Sequence, residues 1–235
     1  MRDVRVQLVD NGSSQEYRQE LNQLVAENDW PGTSLMFLDE NAGFGAGQNL
    51  ALREGVGDYH LVLNPDVELA EDALQRGLQI MAEDPSIVLL SPFAAGADDR
   101  QEFLCKRHPS VAVLALRAFC PRFGKRFFPA IMARYDMSDV CSGSTPVDVP
   151  LARGCFMLVR GPAFEQVGGF DESFFLYFED FDLSLRLREL GRLSYQPGVR
   201  IVHHGGYAAS KGWLHLKMFA HSAFRFFRLH GWRWI

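Results

Sequence analysis

The chain contains no apolar run approaching the ~18 residues that a membrane-spanning helix needs, and its opening, MRDVRVQLVD, holds no apolar core of the kind a secretion signal requires. A cytosolic protein is expected. Cysteine is scarce. Cys105, Cys120, Cys141 and Cys155 are too far apart for a Cys-x-x-Cys pair, so neither a disulfide framework nor a thiolate metal knuckle is expected, only buried reduced thiols. Also missing are a dinucleotide fingerprint with its third glycine in place and a phosphate loop ending in Gly-Lys-Ser/Thr, which disfavours a nicotinamide enzyme. Internal repeats and low-complexity linkers are absent too. What remains is 235 residues with ordinary composition, enough to bury one sizeable core.

Acidic residues outnumber basic ones, giving a net charge of −5 that argues against a nucleic-acid partner. The acids are unevenly spread. From Phe103 to Tyr135 there are none, while Lys106, Arg107, Arg117, Arg122, Lys125, Arg126 and Arg134 supply seven positive charges. From Lys211 to Ile235 acids are absent again, and Lys217, Arg225, Arg228 and Arg233 alternate with Trp213, Phe219, Phe224, Phe226, Phe227, Trp232 and Trp234. Two readings stand: core aromatics with solvated bases, or a peripheral surface resting on the inner face of an anionic membrane.

Strand and helix signals alternate along the chain, predicting a layered α/β sheet. A strand over Val4 to Val9 ends at the turn formers Asp10, Asn11 and Gly12, and a helix with Leu21, Leu24 and Val25 on one face follows. Leu35 to Leu38 reads as a strand running into the glycine-rich segment Asn41 to Asn49. Tyr59 to Leu63 reads as a buried strand that Pro65 ends, leaving Asp66 at its carboxyl end. That edge of an open α/β sheet is where ligands usually bind. A helix with Leu74, Leu78 and Met81 comes next, then a strand over Ile87 to Leu90. The basic middle segment has no readable period. Strands near Val147 to Leu151 and Cys155 to Val159, a short helix from Pro162, a helix carrying Leu183, Leu187 and Leu190, and a strand over Val199 to Val202 complete the reading. Gly191 suits the left-handed residue after the helix end. The domain is expected to span residues 1–206, with a helical basic and aromatic tail over 207–235.

The chemistry-bearing residues fall at element ends. Glu179, Asp180 and Asp182 occupy the first turn of the leucine-striped helix, where free N–H groups and the helix dipole favour negative charge. Asp66 is suited to a divalent cation, and Asp180 to taking a proton from an acceptor hydroxyl. His203 or His204, delivered by the last strand, is a further candidate cation ligand. Glycines between Asn41 and Asn49 would let backbone amides approach a phosphate or sugar.

In order, VDNGSS, NAGFGAGQN, LNPDV, LARGCFMLVR, GGFDESFFLYFEDFDLSLRLRELG and VRIVHHGG resemble the family-2 glycosyltransferases, in particular their rhamnosyltransferase-like members that build bacterial surface polysaccharides. The resemblance covers Val4 to Gly206. It implies a GT-A (Rossmann-like) mixed sheet flanked by helices, a nucleotide-diphosphate sugar donor with dTDP-rhamnose favoured, a glycan or lipid-linked acceptor, a divalent cation (manganese or magnesium), and inversion at the anomeric carbon. On it, Asp10, Asn11, Gly43, Asn49 and Asn64 belong to the donor side, with Asn64 standing where the family's first metal-site acid would be. Asp66 and His203 would hold the metal, Asp180 paired with Glu179 would be the base, and Gly154, Asp171 and Glu172 would face the acceptor. The chain starts at what resembles the family's second strand. A late start, trimming or true loss would each leave the donor pocket short of a central strand, and an inactive sugar-nucleotide-binding assembly partner is the alternative function.

Overall fold

The computed structural model describes residues 4–28, 30–205 and 212–235, without the side chain of Lys125. The sheet comes in pieces. Strands β1 (Val6–Asn11) and β2 (Thr33–Leu38) pair in parallel around helix α1 (Gln15–Asn28) and make a ladder of their own. After helix α2 (Phe44–Arg53) come β3 (Tyr59–Leu63), β4 (Val67–Leu69), helix α3 (Ala73–Glu83), β5 (Ile87–Gly96), β6 (Gln101–Glu102) and β7 (Cys105–Lys106). Three short helices, α4 (Val111–Phe119), α5 (Pro121–Phe127) and α6 (Pro129–Tyr135), occupy the basic segment whose period could not be read. Then follow β8 (Val147–Asp148), β9 (Leu151–Ala152), β10 (Phe156–Arg160), α7 (Gly161–Gln166), α8 (Glu179–Arg188), β11 (Arg192–His203) and α9 (Gly212–His230).

The main sheet has the order β3-β10-β5-β11-β4, with β6 added to β5 and β8 to β11. It is mixed, since β11 runs parallel to β5 and antiparallel to β4, while β10 is antiparallel to both its neighbours. Strand β5 is buried along its first six residues, as a central strand covered on both faces must be. One face packs Leu89, Met157, Val159 and Phe164 with Leu183 and Leu187 of α8, and the other packs Leu90, Phe156 and Leu158 with Ala73 and Met81 of α3. A third cluster joins α4, α6 and α8 to Phe226 and Phe227 of α9. Among the described residues no hydrogen-bonded ladder joins β1 to the main sheet, in which β3 is an edge strand.

Several local expectations are corrected. The first strand lies two residues later than its apolar run suggests. The leucine face of α1 covers no core: the helix has no buried residue, and Leu24 is 47% exposed. Gly191 is not left-handed. It is needed because a Cβ there would lie 2.7 Å from the Ser86 carbonyl oxygen and 2.5 Å from a methyl of Val88. Of the four thiols, Cys120 is exposed and the other three are buried.

Candidate active site

Asp180 sits in the first turn of α8, entered through two consecutive left-handed residues, Tyr177 (φ 72°) and Phe178 (φ 67°). Such backbone is costly for bulky side chains and persists only where the surroundings enforce it. Here the packing of Phe178 on Phe181, Phe219 and Phe226 does so. The Gly154 N–H donates to Asp180 Oδ2 at 3.0 Å, and the Phe181 N–H donates to Oδ1 at 2.9 Å. A Cβ at Gly154 would crowd the Phe44 ring at 3.0 Å and touch Asp180 at 3.4 Å, so a side chain there would require the ring to give way.

Glu179 is 5% exposed, and its Oε2 has no partner. Burial first, and then the charge of Asp180, push its carboxyl up to about 8. Burial raises Asp180 too, opposed by the Gly154 N–H, the Arg153 charge and the Phe181 N–H. Burial thus pushes both carboxyls up, and the Gly154 and Phe181 N–H groups favour placing the pair's negative charge on Asp180 rather than on Glu179.

Asp66 lies in the turn after β3, and the Asn64 N–H donates to the Cys155 carbonyl at 2.9 Å, tying this turn to the chain that leads into β10. The His204 N–H donates to the Asp66 carbonyl at 2.8 Å, which brings in the end of β11. His203 Nε2 is consequently 3.7 Å from Asp66 Oδ2, and its Nδ1 is 2.8 Å from Glu102 Oε2 on β6. Of the two histidines it is His203 that faces Asp66, whereas His204 contacts Glu68 at 3.2 Å on the exposed edge. Asp66 Oδ1 is buried without a partner. A Cβ at Gly205 would lie 2.6 Å from His203 Nε2 and 2.7 Å from Asp66 Oδ2, so only glycine leaves the space between them open. Free nitrogen, orphaned oxygen and open space fit a cation, although no three His, Cys, Asp or Glu converge among the described residues. The two halves of the site meet at Cys155. Burial pushes its thiol up to about 11, Arg153 opposes this, and the carboxylates of Asp180, Asp66 and Glu102 all add to it.

The other sequence-predicted residues fall into two groups. Asp10 is buried. Burial pushes its carboxyl up, but the Ser13 hydrogen bonds and the Arg18 guanidinium, 2.9 Å from Oδ2, outweigh this and hold it below the ordinary value. Its Oδ1 has no partner, leaving a buried acceptor for a ligand donor. Asn11, Gly43, Asn49, Asp171 and Glu172 are joined to other parts of the chain in a hydrogen-bonded clamp. The Asn11 side chain donates to the Gly43 carbonyl at 2.8 Å and accepts from the Ala42 N–H at 3.0 Å. Asn49 pairs with both backbone groups of Phe170 at 2.8 Å and donates to Glu172 at 3.0 Å. Asp171 is held by Ser173 and, at 3.1 Å, by Arg225 of α9.

The glycines of the turn serve that clamp. Gly43 (φ 95°) lies against the Phe175 carbonyl, and a Cβ at Gly45 would meet Phe170 at 2.9 Å, so their close approach is to the chain itself. Sequence reasoning missed Glu102 and Arg153. The second had a signal: Arg153 is the one charged residue in the otherwise uncharged run from Leu151 to Val159.

The sequence profile of Glycosyl transferase family 2 matches residues 1–156, which include Asp66 and Gly154 but not Asp180 or His203. Over 224 residues the chain is 29% identical to an N-acetylglucosaminyl-diphospho-decaprenol L-rhamnosyltransferase of Mycobacterium tuberculosis, covering 89% of this chain and 69% of that protein. It is 30% identical over 172 residues to rhamnosyltransferase WbbL of Escherichia coli, covering 69% and 61%. Among solved structures, a mannosyltransferase from Pyrobaculum calidifontis in complex with GDP-Man and Mn2+ superposes with a TM-score of 0.57 at 19% identity, over 88% of this chain and 50% of that one. GalNAc-T7 with UDP, GalNAc and Mn2+ gives 0.61 at 14% identity, over 86% and 38%. The chain thus spans from about a third to about two thirds of the length of these proteins. The fold is GT-A, with a mixed sheet flanked by helices and a C-terminal helix, and the chain belongs to glycosyl transferase family 2, with rhamnosyltransferases among its relatives.

Proposed function

We propose that this glycosyltransferase moves a sugar, with rhamnose from dTDP-rhamnose the favoured donor, onto a lipid-linked cell-envelope or O-antigen glycan, inverting the anomeric carbon. The observation that carries the reading is the Asp180 carboxylate, oriented by two peptide N–H groups and tied through Gly154 and Cys155 to the turn that bears Asp66. Asp180 accepts the proton of the acceptor hydroxyl as that oxygen bonds to the anomeric carbon, while the bond from that carbon to the diphosphate breaks on the opposite face. Neutral Glu179 keeps a second negative charge out of the pocket, which favours the ionised form of Asp180 that a base needs. Asp10 offers its free Oδ1 to the donor's nucleoside.

Asp66 and His203 would hold a manganese or magnesium ion, which when bound neutralises charge developing on the departing diphosphate. Glu102, bonded to His203 Nδ1, leaves Nε2 facing Asp66. The preference for rhamnose and for a lipid-linked acceptor rests on the names of the mycobacterial and enterobacterial relatives.

The deciding experiment pairs steady-state transfer with calorimetric donor titration for Asp180→Asn, Asp66→Ala and His203→Ala. Asp180→Asn should lower turnover by about 10²- to 10⁴-fold with donor affinity nearly unchanged. The other two substitutions should weaken donor binding only when divalent cation is present. Near-normal turnover in Asp180→Asn, or chelator-resistant transfer in the parent, would overturn the assignment.

A further inference from the structure

The three helices α4, α5 and α6 leave a patch on the surface that none of the described residues covers. Their inner faces are ordinary core, with Val113, Leu114, Met132 and Tyr135 buried against α8 and α9. Helix α5 lies outside them, its buried Gly124 with Cβ space bounded by Leu116 and Met132, each 3.6 Å away. Every other described side chain of α5 is exposed. The apolar ones are large: Phe119 is 70% exposed, Phe127 64% and Phe123 50%, with Phe128 and Ile131 exposed beside them. The rings gather on one another, Phe123 lying 4.6 Å from Phe127 and 6.0 Å from Phe128 between centroids. Water does not favour such a display, and a contiguous exposed apolar patch marks an interaction surface.

The charge around the patch selects the partner. Arg122, Arg126 and Arg134 are exposed, and none has an acidic side chain within 4.0 Å among the described residues. The three cations that do find acids lie at the root of the hairpin, where Lys106 and Arg117 share Asp136 and Arg107 pairs with Asp139. Aromatic side chains flanked by unpaired arginines match an anionic bilayer, with rings at headgroup depth and guanidinium groups on phosphate. We propose that α5 and its flanking turns, with Phe119, Phe123, Phe127 and Phe128, form a wedge that docks this protein on an anionic membrane surface.

The position of the wedge gives docking a consequence. Its root is fastened to β7, where the Arg107 N–H donates to the Tyr135 carbonyl at 2.9 Å. Strand β7 pairs with β9, which leads directly into Arg153 and Gly154, the residue that holds Asp180. Docking therefore sets the base beside the bilayer, where a lipid-linked acceptor would present its hydroxyl; this consequence rests on the transfer reading, whereas docking itself does not. The tail is a neighbouring element that is also fastened to the core: Phe226 and Phe227 are buried, Trp213, Phe224, Trp232 and Trp234 are exposed, and the Arg233 and Trp234 carbonyls accept the N–H groups of Val111 and Ala112 at the start of α4.

The test is sedimentation of the full chain, without donor or acceptor, on phosphatidylcholine vesicles with and without phosphatidylglycerol, at low and high salt. The parent should bind the anionic vesicles and release them at high salt, each arginine contributing about fivefold at low salt. Phe123→Ser with Phe127→Ser should weaken partition by about tenfold or more, and Arg122→Gln with Arg126→Gln by about as much, both with an unchanged melting temperature. Trp213→Ser with Phe224→Ser, on the exposed side of α9, should change it less than threefold. A Phe127→Trp variant should add a blue-shifted emission component on anionic vesicles. Equal binding to both vesicle types, no binding by the parent, or binding lost through the α9 substitutions but not the α5 ones would overturn the proposal. A parent dimer dissolved by the α5 pair without any vesicle binding would do so too. Failure here leaves the Asp180 kinetics untouched, so the two readings fall separately.

Discussion

The β1–α1–β2 unit and the main sheet use the same alternation of strand and helix, yet one buries its apolar faces and the other leaves them half open. Helix α3 presses Ala73, Gly77 and Met81 into the sheet, and β5 and β10 are buried almost throughout. Helix α1 buries nothing, and β1 buries only Asp10. What holds the N-terminal unit is polar: Arg18 on Asp10 and the Leu38 carbonyl, Asn11 on Gly43, and Asn49 on Phe170. Hydrophobic burial is non-directional and sums over area, whereas each of these contacts contributes only about 1 kcal/mol net and depends on geometry. The proposed base therefore stands on the stiff region, and Asp10 on a region that opens at lower free energy.

The strongest way to sharpen the contrast is Phe156→Ala, a fully buried ring in central strand β10, expected to cost about 3–5 kcal/mol by chemical denaturation. A cost under ~1 kcal/mol would show that the sheet is not the stiff half. Next comes Glu179. In the native protein it keeps its proton up to about pH 8, against an ordinary value of 4.5, so the native state binds the extra proton between those limits. Stability must then fall as pH rises through that window. Glu179→Gln should reduce the slope and stabilise the protein near pH 8 by on the order of a few kcal/mol, read as melting temperature against pH. An unchanged slope would place the proton elsewhere.

Smaller effects belong to the N-terminal unit. Asn49→Ala leaves both backbone groups of Phe170 without their partner and should cost about 1–3 kcal/mol. Amides of β1 and β2 should then exchange with solvent faster while those of β5 and β11 keep their protection. Uniform acceleration would mean that the two regions unfold as one. Smallest of all, Leu24→Ala in the open face of α1 should change stability by no more than ~0.5 kcal/mol. A larger loss would mean that this face is covered in solution.

Order and type of the elements were legible because apolar periodicity reports one-sided burial, and the ends of α7 and α8 were marked by glycine. The hairpin of α4 to α6 was not, since helices of seven to nine residues with exposed aromatics show no clear stripe. The site was half legible. Asp66, Glu179, Asp180 and His203 could be picked out because acids after a strand and at a helix start are placed by the chain's own local geometry. Which acceptors already had donors could not. Asn49, Asp171 and Glu172 look like ligand-binding residues in the sequence and are tied to the protein's own chain in the fold.

The sequence by itself determined the α/β alternation, the positions of the candidate acids, and the concentration of bases and aromatics in two acid-free segments. Tertiary structure alone decided that His203 rather than His204 meets Asp66, that Glu179 holds a proton while Asp180 is held by peptide N–H groups, and which aromatics of the two acid-free segments are core, Tyr135, Phe226 and Phe227, and which face solvent. The reason is physical. Local pattern fixes which way a side chain leaves its own strand or helix, but charge state and burial depend on groups brought near from distant parts of the chain, as Asp66, Glu102 and Asp180 are around Cys155.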